Sequence, residues 1–153
     1  MPYSGNMQVC VVRAEDAGTY QSTEDMVGAN IAVEAESAGQ KAVEADENLS
    51  QAEMVAVGAQ SDTLMEVAAG TSDVAVIDAV MAYASVGEGT SYSDLVVVDG
   101  IELGKEEYGI GFRKGSNLVE AVNTALQELT DEGVLDELQQ KYPSVLVTLE
   151  KSA

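Results

Sequence analysis

Apolar and polar positions along this chain fall into two kinds of run. Short, nearly unbroken apolar stretches read as strands over residues 7–12 (MQVCVV), 30–35 (NIAVEA), 54–58 (MVAVG), 74–77 (VAVI), 94–99 (DLVVVD) and 108–112 (YGIGF). Continuous apolar character, rather than alternation, suits strands covered on both faces. Between them lie segments with helix punctuation. Ser22-Thr23-Glu24-Asp25 opens a short helix that Gly28 ends, and Ser37 caps a helix running toward Asn48. Ser61-Asp62 starts a third helix that Gly70 stops, and a fourth runs from the end of VAVI to about Val86, before the loop Gly87-Glu88-Gly89-Thr90. Strands alternating with helices predict βαβ units: an α/β fold with a mostly parallel central sheet flanked by helices.

The last third changes period. Leu118, Val122, Ala125 and Leu129 recur at helical spacing, and Val119 and Leu126 widen the stripe. Gly133 breaks that helix, and Leu135, Leu138 and Tyr142 mark a shorter one before Pro143.

Composition narrows the function classes. The chain has 153 residues, enough for a proper core, and 46% of them are apolar, so it is not a disordered tail. Trp is absent and aromatics are scarce, so the core is aliphatic. There are 27 acidic residues against 7 basic ones, a net charge of -20. That charge repels phosphate backbones and anionic membrane surfaces, which sets nucleic-acid binding aside. Cys10 is alone and His is absent, so an internal disulfide, a zinc site and a Cys/His nucleophile are nearly excluded. Cys10 itself reads as a small buried apolar residue. No apolar run reaches membrane-spanning length, and no signal peptide opens the chain.

Open parallel sheets bind ligands beyond the carboxyl ends of their strands, and two junctions suit that. At VEAESAGQ (33–40) a strand gives way to Ser37-Ala38-Gly39. The first N–H groups of a helix lack internal partners, so a ligand carboxylate can dock there. An ordinary Ser N-cap is the better reading from sequence alone, and Glu36 beside the site repels an anion unless it turns away. The second junction is Asp78, which follows VAVI. It reads either as a helix cap or as an acceptor for an ammonium group, and spacing does not choose between them. Acid–base catalysis by Asp73 and Asp78 is ruled out by reach, since a strand separates them by about 15 Å. Ser37 has no His to activate it, and GIGFRKG lacks the Walker pattern. The residues contain no catalytic constellation, no cofactor motif and no metal set, so no enzyme is predicted.

Four segments together resemble one family. YSGNMQVCVVR (3–13) resembles the first crossover strand of type II solute-binding proteins of amino-acid ABC importers. MVGANIAVEAESAGQ is similar to that family's strand–turn–helix segment, and TLMEVAAGTSDVAVIDAVMAY to its L-x-x-G-x-x-D-A-x-x-x-D signature. EEYGIGFRKGSNLVEAVNTALQELTDEGVLDELQQKY resembles the return strand and closing helices. Each motif alone is weak, but four in the family's order are specific, and they span nearly the whole chain.

The resemblance implies two α/β lobes joined by hinge strands, with the solute between them. It assigns 1–13 to the first hinge strand, 14–107 to lobe two, and 108–153 to the return strand and to helices that complete lobe one. Most of lobe one, with the family's leading export signal, has no counterpart here. The resemblance also assigns roles. Asp78 takes the ligand's α-ammonium, Ser37 and Ala38 hold its α-carboxylate, and Glu34 faces its side chain, favouring a cationic or amide group. Gln60, at a third strand end, is a weaker candidate. Glu36 stands where the family usually carries Gly. The implied activity is non-catalytic capture of a polar amino acid by hinge closure, in an extracytoplasmic receptor that serves an ABC permease. With half the pocket absent, binding is expected to be weak. The apolar stripe of the closing helices is expected to be covered in a homodimer. The alternative is a regulatory or interaction domain of the same fold that has lost transport.

Overall fold

The computed structural model describes residues 1–143 and 145–152. Seven strands and five helices follow in the order β1 (Pro2–Arg13), β2 (Asn30–Glu34), α1 (Ala38–Ala45), β3 (Glu53–Val57), α2 (Gln60–Ala69), β4 (Val74–Asp78), α3 (Ala79–Ser85), β5 (Leu95–Val97), β6 (Leu103–Gly109), α4 (Leu118–Asp131), α5 (Val134–Lys141) and β7 (Leu146–Val147). The chain divides into two compact units, Met7–Gly104 and Met1–Asn6 with Lys105–Ala153.

In the larger unit the strand order is β3-β2-β4-β1-β5. β2 runs parallel to β3 and to β4, with Ile31 opposite Val74, as crossover helices require. β1 runs antiparallel to β4 and β5, so the sheet is mixed, and its parallel part is the β3-β2-β4 half. A crossover pattern fixes direction only for strands it links. β1 precedes the first crossover, and the alternation of elements left its direction open.

Both faces of β1, β2 and β4 are covered, which is why those strands are largely apolar, while edge strand β3 is mostly exposed. Cys10, Val12, Ile31, Val33, Val74 and Val76 pack with Val43 of α1 on one face. Val9, Val11, Ala75 and Ile77 pack with Leu64 and Val67 of α2 on the other. The period-2 alternation is present, but each phase meets its own helix layer. Cys10 is fully buried, as expected, and burial pushes its thiol up to about 12, so no thiolate forms near neutrality.

Boundaries moved where local hydrogen bonding competes with periodicity. The helix expected over 22–28 is a single 3-10 turn, Thr23–Met26. Asp25 Oδ2 accepts from the Ser22 hydroxyl and from the N–H groups of Ser22 and Gln21, and these bonds hold its carboxyl below the usual range. α1 stops at Ala45 because Asp46 turns extended and its Oδ1 accepts from the N–H groups of Asn48 and Leu49. β6 begins at Leu103, ahead of the expected 108–112 stretch, and is largely exposed, so it carries no apolar signature.

At the edge where β1 ends and β4 begins, Arg13 ties three segments together. Its Nε lies 2.7 Å from Asp16 Oδ2, and its Nη1 donates to the carbonyls of Val67 (3.0 Å) and Ser72 (2.9 Å). Its Nη2 lies 3.4 Å from Asp73 Oδ1, while Asp73 Oδ2 accepts from Asn30 N at 2.9 Å. Asp73 therefore serves the entry of β2 and β4, at the opposite end of β4 from Asp78.

In the smaller unit α4 packs on α5, and α5 on β7, which pairs antiparallel with the start of β1 (Ser4 opposite Val147). Gly133 separates the two helices in the left-handed conformation (φ 84°) that its lack of a Cβ permits.

Candidate functional site

The carboxyl ends of β2, β3 and β4 lie on one edge because those strands are parallel and in register. Glu34 and Val57, opposite each other, are the last residues of β2 and β3, and Asp78 is the last of β4. The candidate residues thus gather at one edge of the larger unit.

Asp78 occupies the N-cap position of α3, but its side chain makes no capping hydrogen bond. Its half-buried carboxylate is held by two glutamines instead. Gln8 Nε2 donates to Oδ1 at 2.7 Å, and Gln60 Nε2 donates to Oδ2 at 2.9 Å. Gln60 Oε1 also accepts from the Asp78 N–H at 3.2 Å, so one amide grips both backbone and side chain. Of the two readings of Asp78 open in the sequence, capping is not the one adopted. Both ends of the Gln60 amide act on Asp78.

Gln8 escaped the sequence reading. It sits directly opposite Asp78 in the β1–β4 register and is 1% exposed. The available signal was a lone amide inside the apolar run MQVCVV. Burying an amide is costly unless it is hydrogen-bonded, so such a residue points to a polar partner across the sheet.

The other junction is built around α1. Ser37 is the N-cap, and its Oγ accepts from Gln40 N at 3.1 Å, as the ordinary capping reading holds. Ala38 and Gly39 supply the next backbone N–H groups of the helix. Gly39 is buried, and a Cβ there would lie 2.7 Å from Val76 O and 3.4 Å from Gln8 Oε1. Only glycine lets the first turn of α1 approach β4 and Gln8 this closely. Glu36 adopts φ 60°, the left-handed conformation that glycine favours, and its N–H is taken by Gln40 Oε1 at 2.8 Å. A non-glycine residue holds this conformation at a strain of about 1 kcal/mol. Glu34 is half-buried. Continuing the β2–β4 register sets it level with Ile77, on the α2 side of the sheet, in the phase opposite to Asp78.

Among the described residues no group of three His, Cys, Asp or Glu side chains is placed to hold a metal ion. A separate cavity of about 710 Å³ lies at the Arg13 end, lined by Arg13, Glu15, Ala68, Tyr92 and Asp94 among others. All three guanidinium nitrogens of that arginine are engaged by protein groups. No helix of the described residues is long and apolar enough to cross a membrane.

No protein-family model and no curated protein matches the chain. Solved structures do. A mutant of ArgBP from T. maritima is 32% identical over 94% of this chain, with a TM-score of 0.71. The chain is similar to the type II amino-acid solute-binding proteins of ABC transporters. It spans 60% of the length of that ArgBP chain. An ancestral amino acid-binding protein, AncCDT-1, described as a precursor of cyclohexadienyl dehydratase, is 27% identical over 92% of this chain and 59% of its own, with a TM-score of 0.71. Tv2483, solved bound to L-arginine, matches 96% of this chain and 59% of its own with a TM-score of 0.74; at 23% identity it attests the fold. The solute-binding neighbours are mostly binding proteins, and the mixed α/β sheet flanked by helices is their lobe architecture.

Proposed function

We propose that this chain is the non-catalytic ligand-binding lobe of an extracytoplasmic receptor for a polar amino acid, serving an ABC permease. In this reading residues 1–13 are the first hinge strand, 14–107 are lobe two, and 108–153 are the return strand and closing helices. The observation that carries it is the Asp78 carboxylate. It ends β4, does not cap α3, and is held by two amides beside the first turn of α1. An ammonium on Asp78 and a carboxylate on the Ser37–Ala38 amides fit the two poles of an amino acid. The net charge of -20 favours a cationic side chain over an acidic one. A mutant of arginine-bound ArgBP from T. maritima, 32% identical over 84% of this chain, supports the same class.

The test is a titration of the intact chain with L-arginine, L-glutamine and L-glutamate, followed by amide chemical shifts. Only this lobe's contacts are counted, so L-arginine binds with Kd roughly millimolar. Its shifts centre on residues 34–40 and 78, and L-glutamate binds more weakly. Shifts centred elsewhere, or submicromolar affinity, contradict the reading.

The closing helices bear on assembly. Among the described residues, the unit formed by Met1–Asn6 and Lys105–Ala153 buries no apolar side chain, and Leu118, Val119, Leu129 and Leu138 are all exposed. An apolar stripe of this kind calls for a cover, and a second copy related by a twofold axis supplies one. Light scattering is expected to give twice the chain mass, and Leu118→Asp with Leu129→Asp to give the monomer. A monomeric unsubstituted chain with both helices ordered overturns the dimer.

A further inference from the structure

The two poles proposed for the ligand are both referenced to one buried side chain. Gln8 is 1% exposed and holds Asp78 Oδ1 through its Nε2, while its Oε1 lies where a Cβ on Gly39 would meet it at 3.4 Å. We propose that Gln8 and Gln60 are positioning residues for Asp78. This rests on the receptor reading above, which assigned neither glutamine this role.

The physical argument has three parts. First, each carboxylate oxygen is fixed by its own donor, so turning the carboxylate breaks both bonds. Second, the Gln60 amide has only one workable orientation. The Asp78 N–H can only donate, so the atom it meets must be Oε1, which leaves Nε2 for the carboxylate. Third, α1 is seated without slack. A Cβ on Gly39 would stand 2.7 Å from Val76 O, closer than side-chain carbons come to backbone. The first turn is therefore pinned to β4, the strand that ends in Asp78. A prepositioned carboxylate pays no reorganisation when an ammonium arrives.

The experiment compares two probes on the intact chain, L-arginine and its analogue lacking the α-amino group, 5-guanidinopentanoate. Gln8→Met and Gln60→Met each weaken L-arginine about 10-fold and leave the analogue unchanged. Equal weakening of both probes, or of neither, overturns the proposal, because a merely structural glutamine does not discriminate by ammonium. Gln60 is only half-buried, so its variant stays informative should Gln8→Met disturb the core. Titration of the Asp78 carboxyl by carbon NMR needs no ligand. Losing a donor raises its midpoint in each variant, and an unchanged midpoint also overturns the proposal. An unsubstituted chain that ignores L-arginine, or an Asp78→Ala chain that binds it normally, instead defeats the receptor reading, and the carboxyl titration then still judges the clamp.

Discussion

Replacing Asp78 by Ala weakens L-arginine about 10- to 100-fold, the loss of one charge-assisted contact to an ammonium. The fold is expected to survive, because the side chain is half-buried and caps no helix. Removing it leaves Gln8 and Gln60 without the carboxylate, which costs about 1–2 kcal/mol of stability. Asp78→Asn separates charge from shape. Its amide nitrogen cannot accept from a glutamine N–H, so one of the two clamping bonds is lost along with the charge. It is expected to bind no better than Asp78→Ala while melting closer to the unsubstituted chain. L-Arginine affinity retained within threefold in either variant, measured by titration on chains of unchanged circular dichroism, would show that the ammonium is taken elsewhere.

The largest effect on stability is expected at Arg13. Arg13→Met keeps the aliphatic stem but removes donors to Val67 O, Ser72 O, Asp16 and Asp73. Two carbonyls at the end of α2 and two carboxylates then lose a shared cation. Charge-linked hydrogen bonds in partly screened surroundings stabilise by about 1.5–3 kcal/mol, and the set acts together. A loss of about 3 kcal/mol is expected, which lowers Tm by roughly 6–12 °C. Arg13→Lys recovers little, since one ammonium cannot span four acceptors. Because Arg13 and Asp78 lie at opposite ends of the sheet, L-arginine binding is expected to be unchanged below the lowered melting range. A Tm shift under 2 °C would reduce this cluster to surface decoration.

The element pattern was legible because burial writes itself into composition. VAVI and VCVV are apolar at both phases since α1 and α2 cover opposite faces of one sheet. Glycines at 70 and 133 ended helices as expected, both in the left-handed region. Lone Cys10 was legible as core for the same reason. β6 was legible only at its end, because its exposed first residues carry no apolar signature, and β7 was not, because two residues are too short a run to read. The direction of β1 was not, because no crossover precedes it.

For the site, the sequence by itself determined that Glu34 and Asp78 stand at strand ends and Ser37 at a helix start, since position relative to an apolar run is a local property. It also determined that sites needing imidazole are not available, since the chain has no His. Whether Asp78 caps or receives was a tertiary decision. Its partners come from residues 8 and 60, far away in the chain, and only the antiparallel register of β1 on β4 and the start of α2 bring them within 3 Å. Hydrogen-bond partners across a sheet depend on register, and register is set by the packing of the whole unit rather than by any stretch of residues.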